Sequence, residues 1–192
     1  MEESEAHRKT EEMPTQIEGI LEALAKARRG LLQAADAISG EVWMRSPGEG
    51  RWSAAELIAH LIQVERGVLA KADRIIQHSP KAVPLLKKMH LPMVLVEARI
   101  GRRKSPIPVT AESLGAKEEM MGELRSARER TYVFLGETSG RELGEYYWAH
   151  PALGMLNVYG WMRFLAAHEI RHTKQMREIG DGLQKPIGNF QE

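Results

Sequence analysis

Residues 157–180 read NVYGWMRFLAAHEIRHTKQMREIG, and the spacing inside this stretch decides the class of fold. Val158, Trp161, Leu165, Met176 and Ile179 recur at the three- and four-residue steps that gather apolar side chains on one face of an α-helix. Gly180 follows the last of them and reads as a helix stop. His168 and His172 share that face one turn apart. At about 100° per residue, their imidazoles stand about 40° apart in projection, one above the other.

Working outward, three more segments carry the same period. Ile17, Leu21, Leu24, Leu31, Ala35 and Ile38 form one stripe, with Gly40 just beyond it. A second helix is predicted from Ser53, where Ser53 and Glu56 have the form of a capping box. It continues through Leu57, Leu61, Val64 and Val68 to about His78, ahead of Ser79-Pro80. The third is expected from about Ala111 to Gly136, with Met121, Leu124, Ala127, Thr131 and Leu135 inward. Few segments alternate with period two and none is long, so the expectation is an all-α four-helix bundle. Residues 79–110 are too many for a bare loop. Val83–Ile100 is expected to form an extra helical insertion between the second and third helices, interrupted at Pro92. Residues 137–156, rich in glycine and aromatic side chains, suit a structured crossover.

A chain of 192 residues suits one domain with a hydrophobic core, here 13–192, after a polar tail over 1–12 that is expected to be flexible. The tail lacks the basic start and apolar stretch of a secretory signal. The apolar stretches are too short to cross a bilayer, and a cytoplasmic location is the expectation. Twenty-seven Lys and Arg against 26 Asp and Glu leave no net field to attract nucleic acid or an anionic membrane. With no cysteine, disulfides, a thiol nucleophile and thiolate ligands are all excluded. Any metal site must then be built from His, Asp or Glu.

His168 and His172 can supply two neighbouring positions around Zn, Ni or Fe. His60 lies within about 70° of the centre of the second helix's stripe, and facing helices can bring it across to the pair. Three histidines leave a coordination position open, as catalytic metal sites do. The plainer alternative is three hydrogen-bonded core histidines, although two buried one turn apart need two sets of polar partners. His168-Glu169-Ile170-Arg171-His172 also matches H-E-x-x-H, in which the Glu activates a metal-bound water. The extended pattern asks for Gly and His further along, where Gln175 and Glu178 stand. Glu192, at the end of the chain, is a poor substitute ligand, and no strand is evident to hold a peptide substrate.

Three stretches together resemble the DinB-like superfamily. Arg51-Trp52-Ser53 with Glu56 to Leu61 is similar to its W-S-x-x-E-x-x-x-H-L motif, and His150 to Met155 to its H-P-x-x-G stretch. Arg163 to Met176, RFLAAHEIRHTKQM, is similar to its H-x-x-x-H-x-x-Q ending. The resemblance implies a four-helix bundle, often a homodimer, with a divalent transition metal (zinc, nickel or iron) on His60, His168 and His172. It further implies a metal-dependent thiol S-transferase or isomerase, or a hydrolase, acting on a small-molecule substrate with a low-molecular-weight thiol. In such chemistry the metal favours the thiolate, and the missing cysteines fit, because the sulfur would come from the cosubstrate. The 79–110 insertion is longer than the family's usual connection at this point. A non-catalytic helical dimerisation or interaction module is the competing reading.

Other residues have two readings each. Gln175, about 20° from His168 in projection, suits a hydrogen bond to a ligand imidazole or the closing of a helix end. Glu169 either accepts a proton near the metal or, about 100° round from His168, pairs with a basic residue on a neighbouring helix. Trp52 either staples the helix start, where an apolar residue can do so, or contacts substrate. His150 either shapes the crossover near the site or serves a turn. Tyr146, Tyr147 and Trp148 line a pocket or pack the crossover. Arg99, Arg102, Arg103 and Lys104 are a solvated run or a guide for an anionic cosubstrate.

Overall fold

A computed structural model of the chain describes residues 15–84, 92–97 and 109–184. The four long helices are α1, Thr15–Asp36, α2, Ala54–Ile76, α3, Lys117–Glu137, and α4, Val158–Gln184. Helix α1 packs most extensively on α4, while α2 packs on α3 and also touches α4. The chain is mostly helical, and the apolar stripes explain why: Ile17, Leu24, Leu31, Leu57, Leu61, Leu124, Leu135, Trp161, Leu165 and Ile179 are all buried.

Helix α2 starts where its cap dictates. The Glu56 N–H donates to Ser53 Oγ (3.2 Å) and the Ser53 N–H donates to Glu56 Oε2 (2.7 Å), a reciprocal capping box. Helix α3 starts at Lys117 rather than near Ala111. Ala111–Ser113 is instead a separate 3-10 turn, closed by the Ser113 hydroxyl donating to Thr110 O at 2.6 Å. Gly115, a weak helix former, then separates turn and helix.

Helix α4 runs past Gly180 to Gln184, so Gly180 is no stop. The last turn packs closely on the loop before α2. A Cβ on Gly180 would lie 3.7 Å from Ile38, and one on Gly182 would lie 2.9 Å from Pro47 Cβ, too near without a shift. Gly182 lets the helix approach the 38–51 loop, and the hydrogen bonds from Arg45 to Leu183 O and from Arg51 to Glu178 O hold it there.

The crossover before α4 contains two strands that period-two reading misses, β1, Tyr147–His150, and β2, Gly154–Asn157. They pair antiparallel, with Tyr147 opposite Asn157 and His150 opposite Gly154. Gly154 turns the chain at φ +91°, a conformation that favours glycine. Of the expected insertion helix, Val94–Glu97 is helical, and Lys174 of α4 donates to Glu97 O at 2.9 Å. Residues 83–84 and 92–93 are not helical, and the remainder of that expectation over 85–91 and 98–100, the basic run Arg99, Arg102, Arg103 and Lys104, the 1–12 tail and Glu192 lie outside the described residues. No helix among the described residues is long and apolar enough to cross a membrane.

The buried apolar residues fall into two clusters. One holds Ile17, Leu24, Val64, Val68, Leu135, Phe164 and Leu165, and the other holds Leu31, Leu57, Ile58, Leu61, Leu124 and Met176. Each long helix carries one buried charged residue near the boundary between the clusters: Arg28, Glu65, Arg128 and Glu169.

Candidate metal centre

Three imidazoles converge. Helix α2 contributes His60, buried near its start, and α4 contributes His168 and His172. His60 Nε2 lies 3.3 Å from His168 Nε2, and His172 Nε2 lies 3.1 Å from the same atom. Among the described residues this is the group of His, Asp and Glu side chains whose ligand atoms cluster closely enough to hold one ion.

The donor set fits a transition metal. Two nitrogens each about 2.0–2.1 Å from one ion stand about 2.9 Å apart at a right angle and about 3.3 Å apart at a tetrahedral one. The observed separations fall in that interval. Three ring nitrogens turned on one another with lone pairs exposed repel unless a cation or a proton lies between them.

Protons are poor competitors here. Burial pushes the His60 imidazole down to about 4 from its ordinary 6.5. His168 is held well below its ordinary value, first by burial and then by His172, His60, Arg171 and His150. The residue as a whole is half-buried, with its ring set among the other two imidazoles. Gln175 Oε1 lies 3.0 Å from His172 Nδ1. A proton on Nδ1 donated to that oxygen leaves the Nε2 lone pair facing the other two histidines.

Aromatic side chains enclose the group. Trp52 stacks on His172 (6.2 Å between centroids, 14° between planes) and sits 5.0 Å from His60. Phe164 stacks on His168 at 5.1 Å. Rotation along a helix could not locate Trp52, because it precedes the cap and lies off the helix.

His150 stands apart from the three. Its Nδ1 accepts the N–H groups of Ala152 (3.0 Å) and Leu153 (3.1 Å), closing the hairpin turn, and its ring packs on Trp161 and Phe164. Burial lowers its pKa. Trp148 stacks on Trp161 at 4.7 Å, joining the hairpin to α4.

Glu169 turns to the charged layer. Its Oε1 accepts from Arg28 Nε at 2.6 Å and its Oε2 from Arg128 Nη2 at 2.5 Å. Glu65 accepts from both arginines too, Arg28 Nη2 at 2.9 Å and Arg128 Nε at 2.6 Å, and from the Thr131 hydroxyl at 2.9 Å. The remaining donors are reciprocal: Arg28 Nη1 reaches Leu124 O on α3 (2.6 Å), and Arg128 Nη1 reaches Leu24 O on α1 (2.7 Å). With both oxygens so engaged, the Glu169 carboxylate is placed for ion pairing rather than for activating water. Sequence reasoning missed this layer except at Glu169. The signal was present: each of the four charges follows a leucine by four residues, Leu24, Leu61, Leu124 and Leu165, and so lies on an apolar stripe.

The family model described as the DinB superfamily matches residues 23–176. A Bacillus subtilis (strain 168) protein named uncharacterized protein YuaE is 25% identical over 149 residues, covering 77% of this chain and 89% of that protein. No solved structure matches the chain.

Proposed function

The chain belongs to the DinB superfamily, and from that premise we propose that His60, His168 and His172 bind one divalent transition metal, zinc, nickel or iron, for catalysis. The observation that carries the reading is the approach of their three Nε2 atoms, 3.1 and 3.3 Å from His168 outward. The same reading takes α1 to α4 as the family's four-helix bundle, working as a homodimer.

A bound ion would supply Lewis acidity, which favours loss of the proton from a thiol or water that it holds. The chain's own residues prepare the site. His60 and His168 are kept neutral by burial, so their lone pairs are available at neutral pH. Gln175 orients His172 through Nδ1. Trp52 and Phe164 wall the rings and limit water around them. Because the chain has no cysteine, a sulfur nucleophile must arrive with a low-molecular-weight thiol, and S-transfer or isomerisation with such a cosubstrate is the reaction class we favour over hydrolysis. The pairing of Glu169 with Arg28 and Arg128 counts against an H-E-x-x-H peptidase.

Elemental analysis of the purified, untagged protein beside His168→Ala tests the metal. About one equivalent of a transition metal, lost in the variant, is expected. No metal in either protein after incubation with zinc and nickel would overturn the proposal and leave a helical interaction module.

A further inference from the structure

We infer that the layer formed by Arg28, Glu65, Arg128 and Glu169 is a positioning device for the histidine site, an inference that rests on the metal-binding reading above. The two carboxylates stand on the two helices that carry the histidines. Glu65 lies five residues beyond His60 on α2, and Glu169 lies between His168 and His172 on α4. Two like charges facing each other across a low-dielectric interior drive those helices apart. What joins them is the pair of arginines from α1 and α3, because each guanidinium donates to both glutamates.

Apolar contact between α2 and α4 is non-directional and fixes neither axial register nor rotation closely. Charge-assisted hydrogen bonds of 2.5–2.9 Å do both, since a shift of one helix by a fraction of a turn breaks several at once. A metal site needs its ligands held to within about 0.5 Å. The bridging geometry meets that need, whereas stability alone does not require it: well-packed apolar residues in place of buried ion pairs often leave a protein equally stable or more so. Placing one charge of the layer on each helix, with each arginine also bound to the carbonyl of a leucine on the opposite arginine's helix, ties the register of all four.

The test separates position from stability. The charge-free variant Arg28→Met, Arg128→Met, Glu65→Leu, Glu169→Leu is compared with the intact protein by thermal unfolding without metal and by calorimetric titration with zinc. We expect a melting temperature at or above that of the intact protein, with zinc affinity lower by about tenfold to a hundredfold. Zinc affinity equal to that of the intact protein would overturn the inference. In case the fourfold change prevents folding, Arg28→Lys supplies a second measurement. It keeps the charge but replaces a fork that bridges two carboxylates with a point charge that can serve one. A folded Arg28→Lys protein with weakened zinc binding supports the layer's role, and one with undiminished binding refutes it. His168→Ala is titrated alongside. If the intact protein binds zinc no better than this variant, the metal reading itself falls and takes the inference with it. Tight binding by the intact protein and by the layer variants alike overturns the inference alone.

Discussion

Lowering the pH should destabilise the metal-free protein through His60 by a calculable amount. His60 is 5% exposed, and burial lowers its pKa from 6.5 to about 4. Between those two values the unfolded chain binds a proton that the native chain refuses. Stability is therefore full above about pH 6.5 and falls as the pH drops toward about 4. At about pH 5 the unfolded imidazole is almost wholly protonated and the native one only about a tenth so, which corresponds to about 2 kcal/mol. Below about pH 4 the loss levels off at about 3 kcal/mol. The assay is urea unfolding of chelator-treated protein at about pH 7.5 and about pH 5, for the intact chain and His60→Gln. Exposed carboxylates titrate in both proteins, as does His168, held down mainly by its own burial, and these contributions cancel to first order. The intact chain should lose about 2 kcal/mol more than the variant between the two pH values. Equal losses would show that His60 is not held neutral by burial, and the argument for a preformed, proton-free site would fail with it. Zinc should add more stability at the higher pH, where it need not displace protons.

Two further outcomes follow from the packing. Arg28→Met leaves two buried carboxylates sharing one guanidinium and should cost about 3–5 kcal/mol in urea unfolding. Arg66→Ala, which breaks an ion pair to Glu123 whose side chains are 50% and 49% exposed, should cost less than about 1 kcal/mol; similar losses for both would contradict the buried layer. Titration with nickel should quench tryptophan fluorescence, because Trp52 lies 5.0 Å from His60 and stacks on His172. Trp52→Phe should lose most of that quench, and an undiminished quench would put the ion elsewhere.

What could be read in the sequence was what local periodicity encodes. The one-turn spacing of His168 and His172, the apolar stripes and the Ser53–Glu56 cap are all short-range patterns, and each appears in the structure. His60 came within reach because its angle to its own stripe could be computed and the resemblance paired it with the other two. Features set by tertiary contact were harder to see. Arg28 and Arg29 are neighbours of one type, yet only Arg28 is buried, because only it faces the glutamates of other helices. Trp52 packs on the apolar cluster as a residue at a helix start can, but nothing nearby in sequence indicates the imidazoles it also touches. The β1–β2 hairpin was invisible to period counting because four residues per strand give two alternations. Gly180 misled for the opposite reason: a glycine inside a continuing helix has the same letter as a glycine that ends one.

The reciprocity of the charged layer also bears on how the two sides of the frame differ. Arg28 and Arg128 exchange roles under a twofold relation, as do Leu24 and Leu124, and Glu65 and Glu169. Counting from each glutamate, His60 then corresponds to Phe164, His168 to Val64 and His172 to Val68. Those three counterparts lie together in one apolar cluster. The scaffold is thus near-symmetric while its chemistry is one-sided. One half of the frame is furnished with imidazoles and its twofold counterpart is filled with hydrocarbon, so that among the described residues the frame gathers ligand atoms on one side alone.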